Sequence, residues 1–136
     1  MCIRDRAYAR SDMGGAYRWD AKAATWIPLE DGFAEGSYMG VESIAPDPVD
    51  PNVVYAAVGV GLHDPSAILR SHDRGDHWEV ASVPFRMGGN EDGRGLGERL
   101  AVDPNDTAIL YFGSRFDGLQ RSTDLGPGAA LSLIHI

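Results

Sequence analysis

Between residues 7 and 122 the chain alternates short apolar or period-two runs with clusters of Gly, Pro, Asp and Asn. Tyr8, Arg10 and Asp12 fall on one face of an extended stretch, because side chains in a strand repeat every second residue. Val53-Val-Tyr-Ala-Ala-Val58 and Ala108-Ile-Leu-Tyr-Phe112 are unbroken apolar runs of strand length, the pattern of strands buried on both faces. Asp47-Pro-Val-Asp-Pro-Asn52 and Asp103-Pro-Asn-Asp106 punctuate them as turns. Gly14-Gly15 allows a positive-φ hairpin turn after Asp12. No long helical period and no run of 18 apolar residues occurs, so the chain reads as all-β, with no membrane-spanning helix.

The pattern repeats. Glu42–Tyr55 aligns without gaps on Glu98–Tyr111, and Tyr8–Trp19 aligns likewise on Tyr111–Ser122. Ser71-His-Asp73-Arg-Gly75-Asp-His-Trp78 recurs in part as Ser122-Thr-Asp124-Leu-Gly126. A unit of roughly 50 residues with about four strands is the period of a β-propeller blade. With strands A to D counted outward from the central channel, residues 7–29 form a partial first blade, 41–82 a whole second blade and 97–126 a partial third. In an up-and-down blade the B–C and D–A connections share one rim and the A–B and C–D turns the other. Connectivity alone therefore gathers Asp12, Phe33 to Tyr38, His63, Asn90 to Arg94 and Arg115 to Asp117 on one rim, with Asp73 and Asp124 on the opposite one.

Composition narrows the chemistry. A net charge of −8 over 136 residues argues against a nucleic-acid surface, which calls for a basic patch. Cys2 is the sole cysteine and has no internal disulfide partner. His63, His72, His77 and His135 lack metal-ligand spacing, so neither metal nor cofactor is expected. Gly93-x-Gly95-x-Gly97 lacks the following helix that a phosphate-cradling loop needs.

Asp12 stands out among the acidic residues. An aspartate before Gly-Gly is most often a turn residue, yet the equivalent position in the third repeat is Arg115, so the repeat itself does not require it. Arg10 and Arg18 are expected near it, and a neighbouring cation suits a carboxylate that works ionised as a base. Loop 88–98 is polar and glycine-rich on the same rim, where Asn90, Arg94 and Arg115 are candidates to hydrogen-bond a ligand. Tyr38 and Phe33 offer aromatic faces on which a ligand ring can stack.

Several motifs, taken in order, resemble glycoside hydrolase family 74: Tyr8-Ala-Arg-Ser-Asp12-Met-Gly-Gly-Ala-Tyr-Arg-Trp19, Gly40-Val-Glu-Ser, Pro84-Phe-Arg-Met-Gly-Gly-Asn90, Gly93-Arg94 and Gly97–Asn105. The resemblance implies about two and a half four-stranded antiparallel blades of a seven-bladed propeller, the first of two. It implies a secreted enzyme that cleaves the β-1,4-glucan backbone of xyloglucan with inversion. Asp12 then matches the general base, and the acid comes from an equivalent hairpin in a second propeller that this segment lacks. The segment alone is expected to be inactive. Tryptophans that the family carries in loop 88–98 are missing here. The Ser71-x-Asp73-x-Gly75-x-x-Trp78 run is similar to the Asp-box of sialidase-like propellers, with Ser122, Asp124 and Gly126 as a second copy. Residues 1–6 and 127–136 match nothing in the family and read as foreign sequence, set aside from the fold. Two alternatives remain: a non-catalytic, sortilin-like binding propeller, which needs the Asp-box but not Asp12, and a sialidase-like hydrolase, which needs an arginine cluster that Arg10, Arg94 and Arg115 would have to supply.

Overall fold

The computed structural model describes residues 7–123 and 133–136. Its strands are β1 (Tyr8–Arg10), β2 (Ala16–Asp20), β3 (Thr25–Pro28), β4 (Val41–Pro46), β5 (Val54–Val58), β6 (Ala67–Ser71), β7 (Glu79–Ser82), β8 (Leu100–Val102), β9 (Leu110–Gly113), β10 (Leu119–Ser122) and β11 (Ile134–His135). They form three antiparallel sheets in the orders β1-β2-β3, β4-β5-β6-β7 and β8-β9-β10-β11. Each sheet is a meander whose neighbours in sequence are neighbours in space, as in propeller blades. The inner strands β1, β4 and β8 lie side by side, so the sheets follow one another face to face.

The period-two rule explains why strand β5 of the middle sheet is apolar at every position. Tyr55 and Ala57 of β5 and Ile68 of β6 point into one core, shared with Phe85, Leu100, Leu110 and Phe112 of the third sheet's side. Val54, Ala56 and Val58 of β5, with Ala67 and Leu69 of β6, point into the other, shared with Ala16 and Leu29 of the first sheet. A strand buried on both faces must be apolar at every position, which is what the 53–58 run encodes. Phe85 stacks on Phe112 at 5.4 Å between ring centroids within the first of these cores. A bulge between Val41 and Ser43 shifts the β4–β5 register at the inner end.

Two elements depart from the sequence reading. Residues 36–39 form a short 3-10 helix, with Glu35 accepting the Ser37 N–H at its start, inside a stretch read as rim loop. Within the segment set aside as foreign, β11 pairs with β10 in the register Gln120↔His135 and Arg121↔Ile134. Without β11 the outer edge of β10 would present unpaired backbone groups, and any extended segment can add to such an edge whatever its origin. Asp124 and Gly126 lie outside the described residues, so of the run expected to be a second Asp-box copy only Ser122, which is buried, can be placed.

The two rims are marked by bonds between turns. On one, Arg74 N–H donates to the Asn52 carbonyl at 2.8 Å, joining a C–D turn to an A–B turn. There Ser71 Oγ accepts the Gly75 N–H at 2.8 Å, and Asp73 accepts the His77 N–H at 2.8 Å. Gly75 sits at φ 91°, and a Cβ on it would meet Leu29 Cδ1 at 2.7 Å. Trp78 Nε1 donates to the Leu29 carbonyl at 2.9 Å, so this corner also locks the second sheet onto the first. Burial would raise the Asp73 carboxyl, but hydrogen bonds from the His77 amide and ring and from Ser71 outweigh it and hold the group at about 2. On the other rim, Gly59 N–H donates to Gly40 O at 2.8 Å and Gly89 N–H to Gly59 O at 2.7 Å, joining B–C and D–A connections.

Because Ile68 is fully buried between two sheets, Ile68→Val is expected to lower stability by about 0.5–1.5 kcal/mol. Val80→Ala on the exposed outer strand should stay within about 0.5 kcal/mol. Urea unfolding followed by tryptophan fluorescence checks both.

Candidate active site

Asp12 stands at the tip of the β1–β2 hairpin, and the local sequence explains its presentation. Ser11 N–H donates to the Gly15 carbonyl at 3.0 Å, closing the turn. Ser11 Oγ accepts the Gly14 N–H at 2.6 Å. Gly15 takes φ 78°, a left-handed conformation that only glycine adopts cheaply. The hairpin is tied to its neighbour by Val41 N–H to Ser11 O at 3.1 Å and by Gly15 N–H to Met39 O at 2.8 Å. These bonds flank Asp12 and leave its side chain 49 % exposed.

Arg94 Nε lies 3.3 Å from Asp12 Oδ2 in an ion pair open to solvent, with the arginine side chain 44 % exposed. The cation beside Asp12 is therefore Arg94, not the expected Arg10 or Arg18. Arg18 points to the far rim, where its Nη1 donates to Arg74 O at 2.6 Å and to Asp76 Oδ1 at 3.1 Å. Strand alternation does put Arg10 on the Asp12 side, but its Nε turns to Glu98 Oε1 at 2.6 Å. Its Nη2 reaches the carbonyls of Arg94 and Gly97 at 3.2 and 3.4 Å. Arg10 thus grips the backbone of the loop that carries Arg94.

That loop is held from its other end by Arg115. Arg115 Nε donates to Glu42 Oε1 at 2.9 Å, Nη1 to Asp92 O at 2.7 Å and Nη2 to Gly88 O at 2.8 Å. Only 10 % of the side chain is exposed. Its expected part as a ligand contact is replaced by one as a clamp, since every guanidinium nitrogen is engaged inward. Glu42, 1 % exposed, also accepts the Gly88 N–H at 2.7 Å and meets Arg99 Nε at 3.0 Å. Its repeat equivalent Glu98 accepts Ser43 Oγ at 2.5 Å and Ile44 N–H at 2.7 Å besides Arg10. Burial pushes the Glu98 carboxyl up, yet these donors, Ser43 first, bring it below its ordinary value.

Asn90 is exposed on the same rim, fixed through its N–H to Val60 O at 2.9 Å. Tyr38 is half-buried in the 36–39 helix and packs edge-on against Phe33 at 5.5 Å, supporting the hairpin side of the core. One acidic residue escaped the sequence reading. Glu30, 1 % exposed, lies beneath the hairpin with Oε2 accepting the Ala16 N–H at 3.2 Å. Nothing in the local Pro28-Leu-Glu-Asp-Gly32 string separates it from a surface turn residue. The role of Glu42 had a trace in the sequence, because the repeat pairs it with Glu98.

Arg115→Ala should cost up to about 3–5 kcal/mol, since it strips a partner from a buried carboxylate. It should also lower hydrogen-exchange protection at the Gly88 amide, which exchange mass spectrometry and urea unfolding measure together.

No family model matches the chain. It is 60 % identical over 130 residues to xyloglucanase Xgh74A of Acetivibrio thermocellus, a match that takes in 90 % of this chain and 15 % of that protein. It is 49 % identical over 128 residues to a xyloglucanase of Hypocrea jecorina, covering 88 % of this chain and 15 % of that one. Among solved structures, the family 74 xyloglucanase of Xanthomonas campestris superposes with a TM-score of 0.86 at 48 % identity, over 95 % of this chain and 19 % of its own. The family 74 enzyme of Niastella koreensis gives 0.82 at 41 % identity, over 92 % and 19 %. The chain thus spans about 15 % of the length of the curated relatives it matches. In sequence and in fold, it is similar to a β-propeller segment of the glycoside hydrolase family 74 enzymes.

Proposed function

We propose that this segment supplies the general base of an inverting glycoside hydrolase that cleaves the β-1,4-glucan backbone of xyloglucan, with Asp12 as the base. The observation that carries the proposal is the half-exposed Asp12 carboxylate, held at the open rim by a hairpin tied into the fold through Ser11, Gly14 and Gly15. Inversion needs two carboxyl groups roughly 6.5–9.5 Å apart, one activating water and one protonating the leaving oxygen. The acid is assigned to the portion of the relatives that this chain does not span, and this segment by itself is read as inactive.

Arg94 beside Asp12 orients the carboxylate, and it can donate to a bound sugar once water or substrate enters between them. Asn90 extends hydrogen bonding along the same rim, and the Tyr38 ring borders it. The Ser71–Trp78 corner, read as an Asp-box, stays structural on the far face. A sialidase-like chemistry is disfavoured because Arg10, Arg94 and Arg115 each meet a carboxylate of this chain. A sortilin-like binding module leaves the exposed Asp12–Arg94 pair without a purpose. An enzyme acting on a plant polysaccharide works outside the cell, so we place the protein there.

In the whole protein that carries this segment, Asp12→Asn should lower kcat on xyloglucan by about 10²–10⁴-fold with little change in KM. Retention of the parental rate would remove Asp12 from the mechanism. Asn90→Ala should instead raise KM several-fold at nearly constant kcat, as steady-state release of oligosaccharide ends would record.

A further inference from the structure

The Glu30 carboxyl is a buried acid that the mechanism above does not use, and its surroundings give it a definite task. It lies directly under the turn that presents Asp12. Oε2 accepts the Ala16 N–H, while Oε1 is buried and has no hydrogen-bond partner among the described residues. The Glu30 backbone is pinned by Leu29 N–H to Ala16 O at 3.0 Å and Phe33 N–H to Glu30 O at 3.1 Å. On the facing side, a Cβ on Gly15 would stand 3.0 Å from Glu30 Oε2 and 3.3 Å from Met39 Cε. The carboxyl therefore fills the space beneath Gly15 and supports the turn by contact as well as by hydrogen bond.

We propose that Glu30 is the positioning residue of Asp12: uncharged, its carboxyl props the Gly14–Ala16 turn from below, and loss of its proton to solvent loosens that turn. The catalytic consequence rests on the reading of Asp12 as the base; the support of the turn does not.

A buried carboxylate with no cation beside it is costly, so the group keeps its proton instead. The charged neighbours on the packed elements face elsewhere. Arg10 and Asp12 of the hairpin meet Glu98 and Arg94, Arg18 of β2 meets Asp76, and Glu35 caps the 36–39 helix. Asp31, next in sequence, is exposed. Burial consequently lifts Glu30 from 4.5 to about 8, opposed only by the Ala16 N–H. The sign follows from linkage. A turn that opens exposes a carboxyl of ordinary acidity, so the closed form binds more protons than the open one between about 4.5 and 8. Closure is strongest below that window, weakens as pH rises through it, and levels off above it.

The test uses the chain itself and the whole protein. Hydrogen exchange at the Gly15 and Ala16 amides, corrected for intrinsic rates, should show protection falling by more than tenfold between pH 5 and 8. Amides of Ile68 and Leu69 in the middle sheet should hold steady. Glu30→Gln, which keeps the shape and an acceptor for Ala16, should abolish the pH dependence. A carbon-detected titration of the Glu30 carboxyl in the unmutated chain should give a midpoint near 8, and this arm needs no variant to fold. In the whole enzyme, Glu30→Ala should lower kcat on xyloglucan about tenfold at unchanged KM, and Glu30→Gln should restore it to within about twofold. Flat protection across the window, an ordinary carboxylate midpoint, or equal kcat for the Ala and Gln variants would each overturn the proposal. If Asp12→Asn stayed active while the exchange results held, the assignment of the base would fail and the prop beneath the turn would stand.

Discussion

The rim depends on two carboxylates at the heads of successive inner strands. Glu42 and Glu98 occupy equivalent repeat positions just before or at the start of β4 and β8. Each gathers donors from elements far away in sequence: Arg99, Arg115 and Gly88 for Glu42, and Arg10, Ser43 and Ile44 for Glu98. Glu42 is out of water and needs its partners in good geometry or it destabilises the fold, whereas Glu98 keeps part of its side chain in solvent. Since those partners come from different sheets, meeting that need also fixes how the sheets stand relative to one another at the site. The apolar cores press the sheets together without direction, whereas the ion pairs set where the rim loops go.

The two rims are built on different principles. On the far one, Ser71, Asp73, Gly75 and Trp78 form a corner whose polar groups bond to one another and whose tryptophan and glycine close on Leu29. Such a corner is stiff because its side-chain acceptors are paired with its own turn amides. On the near rim, loop 88–98 has few hydrophobic anchors, and its order comes from Arg10 and Arg115 gripping its carbonyls at both ends. That leaves the loop's own exposed side chains, Asn90 and Arg94, available to a ligand while the backbone stays placed, as suits a binding loop on a rigid scaffold.

The architecture was legible because propeller packing leaves a strong trace in sequence. A sheet covered on both faces must be apolar at successive positions, and residues 53–58 show this directly. Turn chemistry at 47–52 and 103–106 then bounded the strands. The pairing of charges was not legible. Period two places Arg10 on the Asp12 face but cannot say that a glutamate 88 residues away will take it. Glu30 was hidden for a related reason: whether a turn glutamate is buried depends on the hairpin that folds over it, and that contact is tertiary. The strand at 134–135 escaped because edge pairing depends on what lies beside the edge rather than on a pattern within the segment.

The repeat itself gives the sharpest view of how the site is made. The hairpins at 11–15 and 114–118 are built alike. Ser11 and Ser114 each donate their N–H to the glycine carbonyl four residues on, and each hydroxyl accepts the amide three residues on. Gly15 and Gly118 both take left-handed φ values, 78° and 71°. The residue after the serine differs, and with it everything the turn does. Arg115 folds inward onto Glu42 and clamps loop 88–98, whereas Asp12 stays outward and meets Arg94 from that same loop. One backbone device therefore serves twice, once to hold the loop and once to present an acid against it. Since the same turn forms around Arg115, its backbone geometry does not by itself call for an aspartate at position 12.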